Sequence, residues 1–113
     1  MNQPDLFDET LDQQFEKWVH TPGGGWWANL FIRLAWKRKK YWHYRVYGAK
    51  AIYEDMRWHY RNKKLRFADN GKEIPERIRG FKLNNNMVSR LARFAEERCP
   101  YLKGLFKMRE LKS

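Results

Sequence analysis

The stretch from Phe81 to Pro100, FKLNNNMVSRLARFAEERCP, constrains the fold more than any other part of the chain, because it marks both ends of one helix. Asn84, Asn85 and Asn86 are poor helix-interior residues but good caps, since a short amide side chain accepts from the N–H groups of a first turn. Val88, Leu91, Ala92 and Ala95 then recur at the spacing that lines one helical face. Ser89, Arg90, Arg93, Glu96 and Glu97 are left for the others. Pro100 disfavours helical geometry at Cys99, which predicts the stop. A capped helix with arginines on its outer face suits the reading element of a nucleic-acid-binding domain. It suits an ordinary amphipathic helix equally well.

Charge is the next constraint. The 113 residues hold 24 Lys and Arg against 13 Asp and Glu, a net +11. Residues 1–32 hold five acids and one base, whereas residues 33–66 hold twelve bases and only Glu54 and Asp55 as acids. A folded domain with such a basic centre attracts polyanions or an acidic protein partner. With 42% hydrophobic and 17% aromatic residues the chain is rich enough in apolar side chains to fold as one domain. The single cysteine, Cys99, precludes an intrachain disulfide. The N-terminus is acidic and polar, and no apolar run approaches the roughly 20 residues that span a bilayer. The expectation is a soluble protein of the cytoplasm with no membrane partner.

Residues 5–20 read as an acidic amphipathic helix with Phe7, Leu11, Phe15 and Trp18 as its stripe, suited to packing or to forming a homodimer. Thr21-Pro22-Gly23-Gly24-Gly25 reads as a linker, without the lysine and hydroxyl residue of a phosphate-binding loop. Residues 1–22 therefore form an N-terminal helix and linker, and 23–113 the basic domain. A second helix is predicted from Trp26 to about Lys40, ending in Lys37-Arg38-Lys39-Lys40. Part of that run is explained by the helix dipole. Followed by Tyr41, Trp42, His43, Tyr44, Arg45 and Tyr47, it also has the cations and aromatic faces that contact phosphates and stack on bases. A third helix opens at Gly48, with Ala49, Ile52, Met56 and Tyr60 on one face and Lys50 paired with Glu54. Asp69-Asn70-Gly71 marks a turn. Arg77 to Leu83 and Leu105 to Arg109 read as short strands, the second alternating apolar and cationic residues.

The segments YGAKAIYEDMRW (47–58), FKLNNN (81–86), SRLARF (89–94), Pro100 and GLFKMR (104–109) resemble a large set of small, mostly uncharacterised phage and prophage proteins. The resemblance spans about Phe15 to Leu111. Its most specific pieces are Ile52, Arg57 and Trp58, the FKLNNN stretch, and Ala92-Arg93-Phe94. The chain departs from the pattern at Met87 and Val88, where an aromatic and a turn-like residue are usual, and at Leu105, which replaces a phenylalanine. The resemblance implies a phage-type product acting in a bacterial cytoplasm and no particular activity.

Catalytic chemistry finds little support. His20, His43, His59 and Cys99 are scattered without zinc-ligand spacing, and Glu54 and Asp55 diverge by about 100° on a helix. Cys99, before a helix-ending proline, reads as a small hydrophobe. The expectation is not an enzyme, with no cofactor and no metal. The predicted fold is mainly α with a small β component, a winged helix-turn-helix-like single domain. In it the 86–98 helix reads DNA. Asn84, Asn85, Ser89, Arg90 and Arg93 face bases or nearby phosphates, and Lys37, Arg38, Lys39, Lys40, Lys107 and Arg109 hold the backbone. The alternative is an interaction protein that redirects an acidic host protein, anchored by the aromatics of 41–60.

Overall fold

The computed structural model describes residues 10–42 and 48–106. Thr10 starts the first helix, α1 (Leu11–Val19). Its hydroxyl accepts from the Gln13 N–H while the Gln13 amide oxygen accepts from the Thr10 N–H, a reciprocal cap. Phe15 and Val19 turn into the core and Leu11 and Trp18 pack against its edge, so the described part of the stripe is used within the chain. Phe7 lies outside the described residues.

The expected glycine linker is instead helical. The chain turns within His20–Thr21, and α2 (Pro22–Lys40) begins at Pro22, four residues before Trp26. Thr21 accepts from the Gly24 N–H at 2.9 Å, and proline at the first helical position loses no bond it would have made. The glycines serve the closeness of this turn. A β-carbon on Gly24 would lie 1.7 Å from the Trp18 carbonyl oxygen, so only glycine lets α2 start directly against the end of α1.

Helix α3 (Ala49–Tyr60) buries Ile52, Tyr53, Met56 and Tyr60, and α4 (Val88–Arg98) buries Val88, Leu91, Ala92 and Ala95. Asn84 accepts from the Asn86 N–H at 2.9 Å and opens a 3-10 turn (Asn85–Met87) that leads into α4. The helix stops before Cys99, whose φ of −135° and ψ of 86° are no longer helical. These stripes meet Trp27, Leu30, Phe31 and Ala35 of α2 in one core. Phe31 stacks on Phe106 at 5.7 Å between ring centres, closing its far end. Each fully buried leucine, isoleucine or phenylalanine there contributes about 1.5–3 kcal/mol of transfer free energy.

The β component is corrected. Among the described residues there is no strand; an isolated antiparallel bridge joins Phe67 to Glu73 around the 69–71 turn. Gly71 turns that corner with a φ of +81°, as its sequence suggested. Arg77 to Leu83, expected as a strand, starts in a 3-10 turn (Glu76–Ile78) and continues as irregular chain. Its polar groups are taken by helices rather than by a neighbouring strand. The Phe81 N–H donates to the Tyr60 carbonyl at 2.7 Å, Trp27 Nε1 to the Ile78 carbonyl at 3.1 Å, and the Tyr53 hydroxyl to the Leu83 carbonyl at 2.6 Å. With φ of +90°, Gly80 is a poor strand residue and breaks any regular pairing. Of the second expected strand, residues 107–109 lie outside the described residues.

Candidate nucleic-acid interface

A helix advances about 100° per residue, so four consecutive cations fan around it and cannot all meet one ligand. Lys37 and, one turn earlier, Arg33 both reach the Asp69 carboxylate, at 2.6 and 2.9 Å. The Asp69 side chain is only 12% exposed. Burial alone would raise its carboxyl, but hydrogen bonds from Arg33 and Lys37 and their charges outweigh that and hold it below the usual carboxylate range. Arg38 is paired with Asp55 of α3. Lys39 donates to the Tyr101 carbonyl and lies 4.6 Å from the centre of the Tyr101 ring. Lys40 is exposed. Three of the four cations thus hold the chain's own parts together.

Helix α4 is similarly constrained on one side. Arg90 donates to Asp12 of α1 at 2.6 Å, and Phe94 meets Phe15 edge-on at 5.9 Å. Ser89 and Arg93 are exposed, beside exposed Glu97 and half-buried Glu96, so the outer face carries both signs of charge. Asn84 spends its side chain on the cap, whereas Asn85 is exposed. Lys107 and Arg109, like His43, Tyr44, Arg45 and Tyr47, lie outside the described residues.

A denser cationic surface stands on α3. With Ile52, Met56 and Tyr60 inward, Glu54, Arg57, Trp58 and Arg61 fall at i, i+3, i+4 and i+7 along the outward side. With Asn62 they line a hollow of about 420 Å³. Trp58 is 83% exposed and makes no hydrogen bond or ring contact among the described residues. Arg57 and Arg61 also form one wall of a second hollow, about 460 Å³, between α3 and the 80–85 segment. Lys63, Lys82 and Asn85 complete its rim. Glycine at 80 lets the segment lie close against Lys63, since a β-carbon there would be 2.7 Å from Lys63 Cγ. Glu54, 3.3 Å from Arg57, is the one carboxylate lining either hollow, against four cations.

Glu54 therefore pairs with Arg57, not with Lys50, and Asp55 with Arg38 across helices. The face was readable in principle. Once Ile52, Met56 and Tyr60 are assigned inward, Arg57, Trp58 and Arg61 must point out. Lys63 and Lys82 could not be joined to them, since their meeting depends on the path of an irregular segment. Among the described residues no three His, Cys, Asp or Glu side chains cluster as metal ligands, and Cys99 is a half-buried free thiol. No described helix is long and apolar enough to cross a membrane.

No protein-family model, curated protein or solved structure matches the chain.

Proposed function

We propose that this chain is a small DNA-binding protein of phage type, a regulator or accessory factor without catalytic activity, which works in the bacterial cytoplasm. The observation that carries the reading is the convergence of Arg57, Arg61, Lys63 and Lys82 around two hollows with a bare indole beside them. Guanidinium and ammonium groups supply phosphate contacts and counterion release, which dominate nucleic-acid affinity and make it salt-dependent. The contact face moves from the Lys37–Lys40 run, three of whose four cations have internal partners, and from the Arg90 side of α4 to the outer side of α3. Asn85, Ser89 and Arg93 stay exposed and extend the reading towards α4. A winged-helix arrangement would put its wing at 105–109, and this face does not depend on it.

The test is a salt titration of mixed-sequence DNA binding. A variant with Arg61, Lys63 and Lys82 changed to Gln should bind more weakly and reduce the slope of log K against log salt by about two to three. A charge-matched control with Lys40, Lys50 and Lys103 changed to Gln should change both far less. Equal losses in the two variants would mean diffuse attraction and sink the face. No binding at low salt would sink the reading.

A second reading rests on a different patch. Tyr41 and Trp42 are 63% and 62% exposed and Tyr101 is 44% exposed, close to Trp36 and Lys39. Aromatics beside cations anchor protein interfaces, so an acidic host protein is the alternative ligand. Capture of such a partner, lost when Tyr41 and Trp42 are replaced by Ser, would favour it.

A further inference from the structure

The α3 face also constrains what form of nucleic acid fits, provided it binds nucleic acid as proposed above. Trp58 stands next to Arg57 and within one turn of Arg61 and lines the first hollow, while Arg57 and Arg61 line both. Its indole is far more exposed than burial economics favours for so large an apolar ring, and nothing in the described chain covers it. A duplex would meet the cations with its phosphates but has no base face to offer the ring. To reach one it must unstack, at a cost of a few kcal/mol per step. An unpaired strand offers phosphates and open base faces together, and stacking on an aromatic side chain is largely independent of sequence.

We infer that this face binds unpaired strands, with one base stacked on Trp58 and the adjoining phosphates held by Arg57, Arg61, Lys63 and Lys82. Arg57 has a second task. Its contact with Glu54 keeps that carboxylate occupied, which limits repulsion of the strand at the near end of the stripe. Asn85, at the rim of the cleft, has an amide free to meet a base edge or sugar.

The experiment uses the full chain and two labelled probes: an oligothymidylate of about 12 nucleotides, within the roughly 4–16 that such grooves span, and a fully paired duplex of similar length without loop or overhang. Anisotropy should give tighter binding of the single strand. Trp58→Ala should weaken that binding about tenfold and leave the salt slope and duplex affinity unchanged, since it removes stacking but no charge. Trp58→Phe should keep most of the affinity while abolishing most of the tryptophan quenching on binding. Circular dichroism should match wild type, because the removed ring is exposed. Duplex preference, or a Trp58→Ala variant that binds the single strand as wild type does, overturns the inference. If duplex binding still depends on Arg61, Lys63 and Lys82, the nucleic-acid reading survives that result. Failure of both probes to bind overturns both.

Discussion

Lys37 Nζ donates to Asp69 Oδ2 at 2.6 Å and ties the end of α2 to a turn 32 positions further on. Arg33 holds the other carboxylate oxygen at 2.9 Å. Burial opposes ionisation of Asp69, and the two cations more than reverse it, so its folded pKa is depressed. A depressed carboxyl contributes stability that is complete above its unfolded value of about 3.9 and is lost as pH falls through the folded value. Asp69→Asn should therefore cost about 2 kcal/mol at neutral pH, between the limits for surface and buried pairs. The gap from wild type should narrow below about pH 4. Urea melts at pH 7 and pH 3 check this, and a gap independent of pH would show that charge is not the cause.

The same clamp reassigns the basic run. Lys37→Ala should lower stability by up to about 1 kcal/mol, because the Lys37 side chain is 38% exposed and Arg33 still pairs with Asp69 when it is removed. Lys40→Ala should leave stability within about 0.5 kcal/mol of wild type, as expected of an exposed residue. Thermal melts of the two variants decide it. Equal effects would remove the distinction between an engaged and an exposed cation.

Three consecutive glycines in a helix invite replacement by alanine, which usually stabilises a helix by about 1 kcal/mol per site. Position 24 should do the reverse. Its new β-carbon would meet the Trp18 backbone at 1.7 Å, and a carbonyl cannot swing aside as a side chain can. Gly24→Ala should cost more than about 2 kcal/mol by forcing α1 away from α2. At Gly25 the nearest atom is the Val19 oxygen at 3.3 Å, a contact that needs only a slight shift. Denaturant midpoints should fall for the first variant and change little for the second. A Gly24→Ala protein as stable as wild type would refute the close approach.

Helices were legible from their apolar stripes. Val88, Leu91, Ala92 and Ala95 gave α4 to within a residue or two, although Asn84 caps the 3-10 turn before it rather than the helix itself, and Ile52, Met56 and Tyr60 gave the inward side of α3. The glycine run misled because composition records flexibility, while the helix there is specified by Thr21, Pro22 and a backbone contact with Trp18 that no local pattern encodes. The expected strand at 77–83 likewise found no neighbour to pair with. A strand needs a neighbour, and here Tyr53, Tyr60 and Trp27 take up the backbone groups instead. The basic run drew attention by its density, yet cations adjacent in sequence diverge in space. Arg57, Arg61, Lys63 and Lys82 gather through tertiary structure.

The Tyr53 hydroxyl is the tether on which the cleft depends, since it donates to the Leu83 carbonyl at 2.6 Å and fixes the 80–85 segment beside α3. Burial pushes this phenol above its ordinary value, Arg57 partly offsets that, and Glu54 adds to it. The donor proton is therefore secure at neutral pH. A raised folded pKa means stability that is complete below the unfolded value of about 10 and declines as pH rises through the folded one. Tyr53→Phe keeps the ring against Phe81 but leaves the carbonyl unpaired, at about 1 kcal/mol. It should speed amide exchange through Lys82–Asn85, make the loss of stability above about pH 10 shallower, and weaken oligothymidylate binding several-fold by letting Lys82 and Asn85 drift from Arg57. Wild-type exchange at those amides would mean that the segment is held by Phe81 and Tyr60 alone, and the cleft would then owe nothing to this hydroxyl.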